Sequence, residues 1–548
     1  MQQSKVAKFF FSAIAGLISV LAISLPVRSA ERIFLSYGIL ERSVSVSALE
    51  AYARQGVLDS DLYVYSQYVD ATQLAILRKA LLAKADLSPV AVSQFLYTQQ
   101  GEILLRRLGE VIQPESRDTG FFAIRAALIL ASAEPEGLTL LNVFRKFPTR
   151  GIRIDLQRSL QIVDDFGDLI GRTKQATDLI AQLANQESTP LPGDIPDLTA
   201  RGAYGFRRDS WRLIDRSRGF VRALGRERVF PVDVYLPIAR RQALPKSIPV
   251  IVISHGLGSD RGTFRYLAEH LASHGFAVAV PEHPGSNAKQ LQALVDGIAN
   301  EVTSPSEFVD RPLDIKYVLD ELERRAKSDP QYSRLNVKQV GLLGQSFGGY
   351  TVMALAGAPI NFAQLQQSCR PEEIDRTLNL SLLLQCRAAA LPPINYNLSD
   401  PRVKAIVAIN PITSSVFGQA SVSQIKTPML MVGSNADTIA PALPEQIQPF
   451  TWLQTNDRYL AVIDQGTHFS TLGQANDEGV PVPPEVIGAN PAIARRYMNA
   501  LSLAFFQTYI NNQSSFRPYI SATYARAISQ DPLRLSLVQS LTLSQLGR

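Results

Sequence analysis

The second half of the chain alternates short apolar runs with amphipathic stretches. The apolar runs have the length of buried strands and lie at 229–236, 249–254, 276–281, 338–344, 402–409, 427–433 and 458–464. Helical periodicity appears between or after them, near 262–274, 311–326, 347–357 and 490–511. This alternation predicts an α/β domain over residues 205–512, with a mostly parallel sheet flanked by helices. The functional site should lie at the carboxyl ends of the strands.

The preceding part of the chain shows helical patterns. Leucines at positions 74, 77 and 81 form a stripe with helical spacing, and Ser88 precedes a proline typical of a first helical position. A capping box beginning at Ser47 predicts a helix that ends at Gly56. We therefore predict a separate all-α domain over residues 31–185. It is a candidate cap, docking surface or oligomerisation module, because its polar residues do not cluster as catalytic groups do.

Three further segments complete the predicted organisation. Residues 186–204 are polar and rich in proline, which is typical of a linker. Residues 358–400 form an insertion between a helix and the next strand, and its leucines suit either an apolar lid over an acyl chain or ordinary core. Residues 513–548 predict a C-terminal tail of polar linker and weak helix.

The first 30 residues have the pattern of a signal peptide. Lys5 and Lys8 precede an apolar run over 9–25, and small residues near 29 and 30 offer a cleavage site. The alternative is a retained membrane anchor, since the apolar run approaches spanning length. We expect export to a periplasm or out of the cell. Removing this segment lowers the formal charge from +6 to +3, too little to indicate a nucleic-acid partner.

A G-x-S-x-G pentapeptide, residues 344–348, joins an apolar strand to a small-residue helix start. This is the pattern of a nucleophile elbow, in which a tight turn projects the serine above the sheet. Ser346 is therefore the predicted nucleophile. Gly344 and Gly348 are expected where side chains would clash in the turn.

The base and acid should follow the serine along the chain. Of the five histidines only His468 does so, in a loop after the strand that ends near residue 464. The preceding strand and turn end at Asp437, which we assign as the carboxylate that orients His468. The alternative acid is Asp464, four residues before the histidine, where a loop-capping role is the better interpretation.

Two backbone N–H groups should form an oxyanion hole. One is assigned to Phe347, directly after the serine, and the other to Leu257, in the His-Gly-Leu-Gly loop after an earlier strand. His255 precedes the serine, so we expect it to fix this loop by hydrogen bonds. The remaining histidines, at positions 270, 274 and 283, are interpreted as packing or surface residues.

The two cysteines, Cys369 and Cys386, lie within the insertion 358–400. In an oxidising compartment they are expected to form a disulfide that closes a short loop, the alternative being two buried thiols. Neither histidine nor cysteine clusters at metal-ligand spacing, so no metal site is expected. The sequence implies no cofactor.

These segments resemble the platelet-activating-factor acetylhydrolase and dienelactone hydrolase branch of the α/β-hydrolases. The resemblance covers about residues 205–515 and is carried by His255–Gly258, Leu271–Ala279, Glu282–His283 and Gly344–Gly349. It implies the same oxyanion donors, Leu257 and Phe347. Gln345 stands where the acetylhydrolases have histidine, and the strand after the nucleophile ends in Asn410 where they have the acid. The overall layout also resembles cyanobacterial α/β-hydrolases with a helical N-terminal domain.

Together the motifs predict an exported serine hydrolase that cleaves carboxylic esters through a Ser-Asp-His triad, as an esterase, lipase or phospholipase-like enzyme. The alternatives are a serine peptidase or amidase with the same triad and a catalytically inactive envelope-binding protein. The expected partner is a small-molecule or lipid ester, with peripheral membrane contact and without nucleic acid. The sequence does not indicate an oligomeric state.

Overall fold

The computed structural model describes residues 29–85, 87–218, 227–473 and 484–547. Apart from its last two positions, the predicted signal peptide lies outside these residues. Contacts divide the described residues into two compact units, one of those up to residue 164 with 295–300, and one of those from 165 to 294 and from 301 onward. Within the described ranges, no helix has both the length and the apolar character needed to cross a bilayer.

The first unit combines seven described helices with a small mixed sheet. Its strands are β1 (Arg32–Tyr37), β2 (Leu40–Ser45), β3 (Ile112–Pro114) and β4 (Gly151–Asp155), in the order β2-β1-β4-β3. Its helices are α1 (Val46–Gln55), α2 (Ser60–Ser66), α3 (Ala71–Leu82), α4 (Pro89–Leu96), α5 (Gln99–Val111), α6 (Phe121–Ser132) and α7 (Leu140–Arg145). Strands β1 and β4 pair in parallel, and the other two pairs are antiparallel.

The all-α prediction for residues 31–185 is therefore wrong, because this unit contains a sheet. Ile33 of β1 and Ile152 of β4 are buried in the core of the unit, yet the strands are short and pair across more than a hundred residues. Local periodicity cannot reveal such a pairing. The helix ends were partly predictable: Ser88 caps α4 and Gly56 ends α1 in the left-handed conformation, although α1 begins after Ser45 and not at the predicted capping box.

A long helix, α8 (Leu156–Gln186), follows β4. The division between the two units falls inside it, at residues 164 and 165, earlier than the predicted linker over 186–204. Its second half carries Ala176, Ile180 and Ala184 into the main core of the second unit. This part of the helix consequently belongs to the α/β domain.

The second unit is built on a nine-stranded sheet in the order β13-β12-β11-β10-β9-β7-β8-β6-β5. The strands are β5 (Gly205–Asp215), β6 (Arg228–Ile238), β7 (Ile248–Ser254), β8 (Ala277–Pro281), β9 (Leu335–Gln345), β10 (Val403–Ile409), β11 (Met429–Ser434), β12 (Arg458–Ile463) and β13 (Leu535–Val538). The six central strands, β8 to β12 with β7, run parallel, while β5, β6 and β13 are antiparallel to their neighbours.

Helices cover both faces of this sheet. They are α9 (Arg265–Ser273), α10 (Ala288–Val295), α11 (Glu307–Ser328), α12 (Phe347–Leu355), α13 (Phe362–Ser368), α14 (Pro371–Arg376), α15 (Ser381–Gln385), α16 (Gly418–Val422), α17 (Gln448–Trp452), α18 (Pro484–Ile487), α19 (Pro491–Tyr509) and α20 (Ala522–Ile528). Alternate residues of β7 show the two layers: Val250 and Val252 join the core under α11 and α12, whereas Ile251 and Ile253 join the core under α9 and α19.

The last 36 residues were predicted as a tail, and the structure corrects this prediction. Helix α20 and strand β13 belong to the second unit, and β13 pairs antiparallel with β12. Leu535 and Leu537 are buried against the α9 and α19 side of the sheet. Strand β13 has only four residues and polar neighbours, so its apolar pattern is too short to predict a strand.

Candidate active site

The turn between β9 and α12 places Ser346 in a strained conformation. Its backbone has φ 56° and ψ −116°, a region that residues other than glycine rarely adopt. The Ser346 N–H donates to the carbonyl of Ile409 on the neighbouring strand at 2.9 Å. The side chain is 7% exposed, at the carboxyl end of the central strand. A serine held this way is presented at the edge of the sheet where the other parallel strands also end.

The two glycines of the pentapeptide permit the close approach of backbone segments. A Cβ atom on Gly344 would lie 2.0 Å from the carbonyl oxygen of Gly348. A Cβ atom on Gly348 would lie 2.0 Å from the carbonyl oxygen of Ser254, at the end of β7. Both obstructing atoms belong to the backbone, so relief would require the elbow itself to move.

Gly348→Ala should therefore displace the elbow. The free energy of unfolding should fall by about 3 kcal/mol or more, and most of the reactivity of the Ser346 hydroxyl should be lost. Urea denaturation and fluorophosphonate labelling of Ser346 would measure the two effects. Gly167→Ala is the matched control, because a Cβ atom there meets nothing within 4 Å. That change should stabilise the α8 helix by up to about 1 kcal/mol. If Gly348→Ala were as stable as the wild type, the close approach of Gly348 to the backbone of Ser254 would be contradicted.

His468 and Asp437 are brought together after β12 and β11. His468 Nδ1 lies 2.6 Å from Asp437 Oδ2, and both side chains are buried. The other oxygen, Asp437 Oδ1, accepts from the N–H groups of Ile439 at 2.8 Å and Ala440 at 2.7 Å. The alternative acid, Asp464, instead accepts from Asn435 Nδ2 at 2.6 Å. The geometry thus pairs Asp437 with the histidine and gives Asp464 a turn-capping contact.

Gln345 and Asn410 tie the histidine loop to the elbow. Gln345 Nε2, from the residue before Ser346, donates to the carbonyl of His468 at 3.1 Å. Asn410 Nδ2 lies 3.4 Å from the carbonyl of Thr467 and 3.3 Å from Ser434 Oγ. Asn410, where the resembling family has its acid, thus bridges the end of β11 and the loop after β12, while Gln345, the residue before Ser346, holds the backbone of His468.

The loop carrying Leu257 also lies against the serine. A Cβ atom on Gly256 would be 2.4 Å from Gln345 Oε1 and 3.4 Å from Ser346 Cβ, so the loop packs directly on the elbow. Gly258 has φ 72°, and its N–H donates to Ser286 O at 2.9 Å. Leu257 itself is half-buried against the core. The loop of one predicted oxyanion donor, Leu257, thus packs on Gln345 and Ser346, and the other predicted donor, Phe347, directly follows Ser346 in the chain.

His255 and His283 form a buried hydrogen-bonded chain beneath this loop. The His283 N–H donates to His255 Nε2 at 3.0 Å, which leaves His255 Nδ1 to donate to Gly256 O at 2.7 Å. Burial, with the Arg311 charge next in effect, holds the pKa of His255 well below its usual range. His255 is therefore neutral, in the structural position expected from the sequence.

His283 is more than the packing or surface residue predicted. It is fully buried, with Nδ1 2.8 Å from Asp314 Oδ2 and Nε2 3.0 Å from Ser254 Oγ. Burial, with the Arg311 charge next in effect, lowers the pKa of His283 to about 3, although the contact with Asp314 opposes the shift. This serine, histidine and aspartate have the connectivity of a triad, but all three side chains have 0% exposure and no substrate can reach them. The set is structural.

The other two histidines lie apart from this chain. Burial lowers the pKa of His270 to about 3, and the ring packs on the α9 side of the sheet. His274 Nε2 lies 3.0 Å from Ala200 O. Both agree with the predicted packing or surface roles.

Sequence reasoning missed Arg311 and Asp314, which lie one turn apart on the buried face of α11. Asp314 also pairs with Arg228 at 2.8 Å and with Arg218 at 2.5 Å. The sequence did contain one indication that these charges are buried. Apolar residues such as Phe308 and Ile315 flank them at helical spacing and mark the face of α11 that packs inward.

The insertion 358–400 is anchored to the loops of the site through Glu445. This buried carboxylate accepts from Gln385 Nε2 at 2.9 Å and from the N–H of Thr413 at 2.6 Å. Gln385 Oε1 in turn accepts from two N–H groups of the loop after β10. The Ser381 N–H donates to Ile439 O at 2.7 Å, and Ile439 is one of the residues that hydrogen-bond Asp437.

Cys369 and Cys386 are joined by a disulfide inside the same insertion. Helix α15 lies between the two cysteines and carries the anchoring Gln385. The disulfide and the Glu445 contacts therefore constrain the same short segment. Among the described residues, no three His, Cys, Asp or Glu side chains are grouped closely enough to hold a metal ion.

Two family models match separate parts of the chain. Residues 29–155 match "Alpha/beta hydrolase of unknown function (DUF1400)", and residues 232–328 match "Platelet-activating factor acetylhydrolase, isoform II". The first match covers most of the first unit, and the second runs from β6 to the end of α11. The predicted α/β-hydrolase fold and the resemblance to the acetylhydrolase branch are confirmed, whereas the cyanobacterial source stays a prediction.

Curated relatives that the chain is similar to include cutinases and an acetylhydrolase. Cutinase 2 of Thermobifida cellulosilytica is 20% identical over 277 residues, covering 49% of this chain and 71% of that protein. Cutinase cut1 of Thermobifida fusca has the same identity, with 59% of its length covered. Platelet-activating factor acetylhydrolase of Canis lupus familiaris is 29% identical over 137 residues, covering 19% of this chain and 31% of that protein. The chain thus spans less than two thirds of the last two.

Proposed function

We propose that this chain, an α/β-hydrolase resembling the platelet-activating-factor acetylhydrolase branch, hydrolyses carboxylic esters with Ser346 as nucleophile, His468 as base and Asp437 as the acid that orients the base. Its similarity to cutinases and to an acetylhydrolase supports ester hydrolysis as the reaction class. The observation that carries the assignment of residues is the 2.6 Å contact between His468 and Asp437, in a loop that Gln345 ties to the elbow.

In the first half-reaction Ser346 Oγ attacks the ester carbonyl while His468 Nε2 takes its proton. The carbonyl oxygen becomes an oxyanion that the N–H groups of Leu257 and Phe347 stabilise. His468 then returns the proton to the alkoxide oxygen as the C–O bond breaks, so an alcohol leaves and an acyl-serine remains. Asp437 keeps the Nδ1 proton of His468 in place throughout.

In the second half-reaction a water molecule attacks the acyl-serine as His468 removes one of its protons. The same two N–H groups stabilise the second oxyanion, and the proton then passes to Ser346 Oγ as the carboxylic acid departs. The sum is one ester and one water converted to one alcohol and one acid. Apart from the ester and the water, every group in this scheme is a side chain or a backbone N–H of the chain, so the proposal names no cofactor.

The proposed substrates are lipid or short acyl esters outside the cytoplasm. Support for export comes from the pattern of the first 30 residues, of which residues 1–28 lie outside the described ranges, and from the disulfide between Cys369 and Cys386. Because lipid esters lie in membranes, the proposal also includes peripheral contact of the protein with a membrane surface.

The test is hydrolysis of p-nitrophenyl esters from acetate to palmitate by the mature protein, with mapping of the residue labelled by a fluorophosphonate. We expect stoichiometric labelling at Ser346 and activity on at least part of the series, with the optimum chain length separating a short-acyl esterase from a lipase. Labelling without ester hydrolysis would favour a peptidase or amidase instead. A folded protein that neither labels nor hydrolyses would favour an inactive binding protein.

A further inference from the structure

Arg311 is a fully buried cation directly beneath the elbow. It lies on the inward face of α11, with 0% exposure. Its guanidinium donates to four neutral oxygens: Ser254 Oγ at 3.4 Å, Ser286 Oγ at 2.8 Å, Thr351 Oγ1 at 3.2 Å and the carbonyl of His255. A planar donor group that meets four acceptors on three segments, the end of β7, the loop at Ser286 and helix α12, constrains the relative positions of these segments.

Two of these contacts reach the segment that precedes Leu257. The His255 carbonyl belongs to the peptide that enters the Gly256-Leu257 turn, and Ser254 is the last residue of β7. Because the bond is to the main chain, it fixes the direction of the peptide planes that follow. The orientation of the Leu257 N–H consequently depends on where the guanidinium lies.

The same guanidinium supports the segment that follows Ser346 along the chain. Its central carbon lies 4.5 Å from the ring centroid of Phe347, within the range of a cation–π contact. Arg311 Nε also binds Thr351, one turn further along α12, whose hydroxyl donates to Phe347 O at 2.8 Å. The first turn of α12, which supplies the Phe347 N–H, is thus held by the side chain that holds the His255 peptide.

The charge of Arg311 lies in a region of low dielectric constant, where burial lowers its pKa to about 9. The carboxylates nearest to it are already paired, Glu307 with Arg228 at 2.7 Å and Asp314 with both Arg228 and Arg218. A buried positive charge beneath the site favours the negative charge that develops on an attacked carbonyl oxygen.

We propose that Arg311 is a positioning residue that holds the two proposed N–H donors of the oxyanion hole, Leu257 and Phe347, in one geometry beside Ser346. The catalytic role of Arg311 rests on the proposed function. The contacts by which Arg311 holds the two segments, here called the clamp, do not depend on that function. Arg311 has no contact with substrate in this role and acts through the two backbone segments.

The test compares Arg311→Lys with Arg218→Lys, a matched control. Arg218 is also a buried arginine of the charge cluster, but its partners are Asp215, Asp310 and Asp314 and not the loop or the elbow. Lysine keeps the charge in both variants and removes the planar fork. Active sites are counted by fluorophosphonate titration, so that kcat refers to folded enzyme.

We expect Arg311→Lys to lower kcat about 10- to 100-fold, with KM changed less than about threefold, because misplaced donors weaken transition-state stabilisation more than substrate binding. Affinity for a boronic acid transition-state analogue should fall by the same factor. Arg218→Lys should keep kcat and analogue affinity within about twofold, even where its melting temperature falls. An unchanged kcat in Arg311→Lys, or an equal loss in Arg218→Lys, overturns the inference.

Hydrogen exchange of the backbone amides separates this inference from the proposed function. In Arg311→Lys the amides of residues 255–258 and 347–350 should exchange faster, while those of the remaining sheet stay protected. Unchanged exchange overturns the clamp, and faster exchange supports it even if the wild type hydrolyses no ester. If Arg311→Lys does not fold, Thr351→Val is tested in its place. It should show the same faster amide exchange to a smaller extent and a kcat lowered about two- to fivefold. Unchanged exchange and unchanged kcat in Thr351→Val overturn the inference.

Discussion

Replacing Ser346 with alanine should lower kcat for ester hydrolysis by about 10⁵-fold or more, the largest single effect expected in this chain. Without the hydroxyl, the first acyl transfer has no nucleophile, and His468 can only activate water. The fold should remain, because Gly344 and Gly348 still permit the turn and the serine side chain is not part of the core. A small residual rate is expected from the oxyanion hole and from substrate binding.

Steady-state kinetics on the best p-nitrophenyl ester, with circular dichroism as a check of folding, would measure the loss. Ser328→Ala is a suitable control, since Ser328 is exposed at the end of α11 and bonds only locally to Arg324 O. The control should keep wild-type kinetics. Retention of more than about one hundredth of the wild-type rate by folded Ser346→Ala would assign the nucleophile elsewhere.

Asp437→Asn should lower kcat by about 10⁴-fold, the loss that the equivalent change causes in a Ser-His-Asp protease. Asparagine keeps the shape, so its oxygen can still accept from the N–H groups of Ile439 and Ala440. Its amide nitrogen would then face His468 Nδ1 as a donor. The imidazole must respond with the wrong tautomer, which places the proton on Nε2 and removes the base.

Asp464→Asn is the matched control for this change, because Asp464 was the other carboxylate near the histidine in sequence. Its carboxylate accepts from Asn435 Nδ2, and its backbone N–H donates to Arg534 O. The variant should therefore lose stability and keep kcat within about threefold. A greater kinetic loss in Asp464→Asn than in Asp437→Asn would reverse the assignment of the acid.

The central strands of the large sheet could be predicted because they are buried on both faces. Strand β7, for example, is a continuous apolar run in which every residue is buried. In the edge strand β5, charged and polar residues interrupt the apolar ones, so no apolar run marks it. The small sheet of the first unit was missed for another reason: β1 and β4 pair across more than a hundred residues.

The residues of the proposed triad could be selected from the sequence because the pentapeptide singles out Ser346 and only one histidine follows it. The groups beneath them could not, since Arg311 meets His255 across 56 residues and Thr351 across 40. Which face of the charged helix α11 turns inward depends on the packing of the whole sheet. From the sequence alone, Arg311 therefore cannot be distinguished from the other charged residues of this helix.

The anchoring of the insertion through Glu445 has a consequence for how such a protein can diversify. Ser381 and Gln385 share hydrogen bonds with the loops after β10 and β11, including Ile439 beside the acid. Where the insertion acts as the lid considered above, a change that shifts it to accept another substrate would also move residues that hydrogen-bond Asp437. Such changes are then expected to lower kcat as well as to alter substrate preference, unless they leave the Glu445 contacts in place.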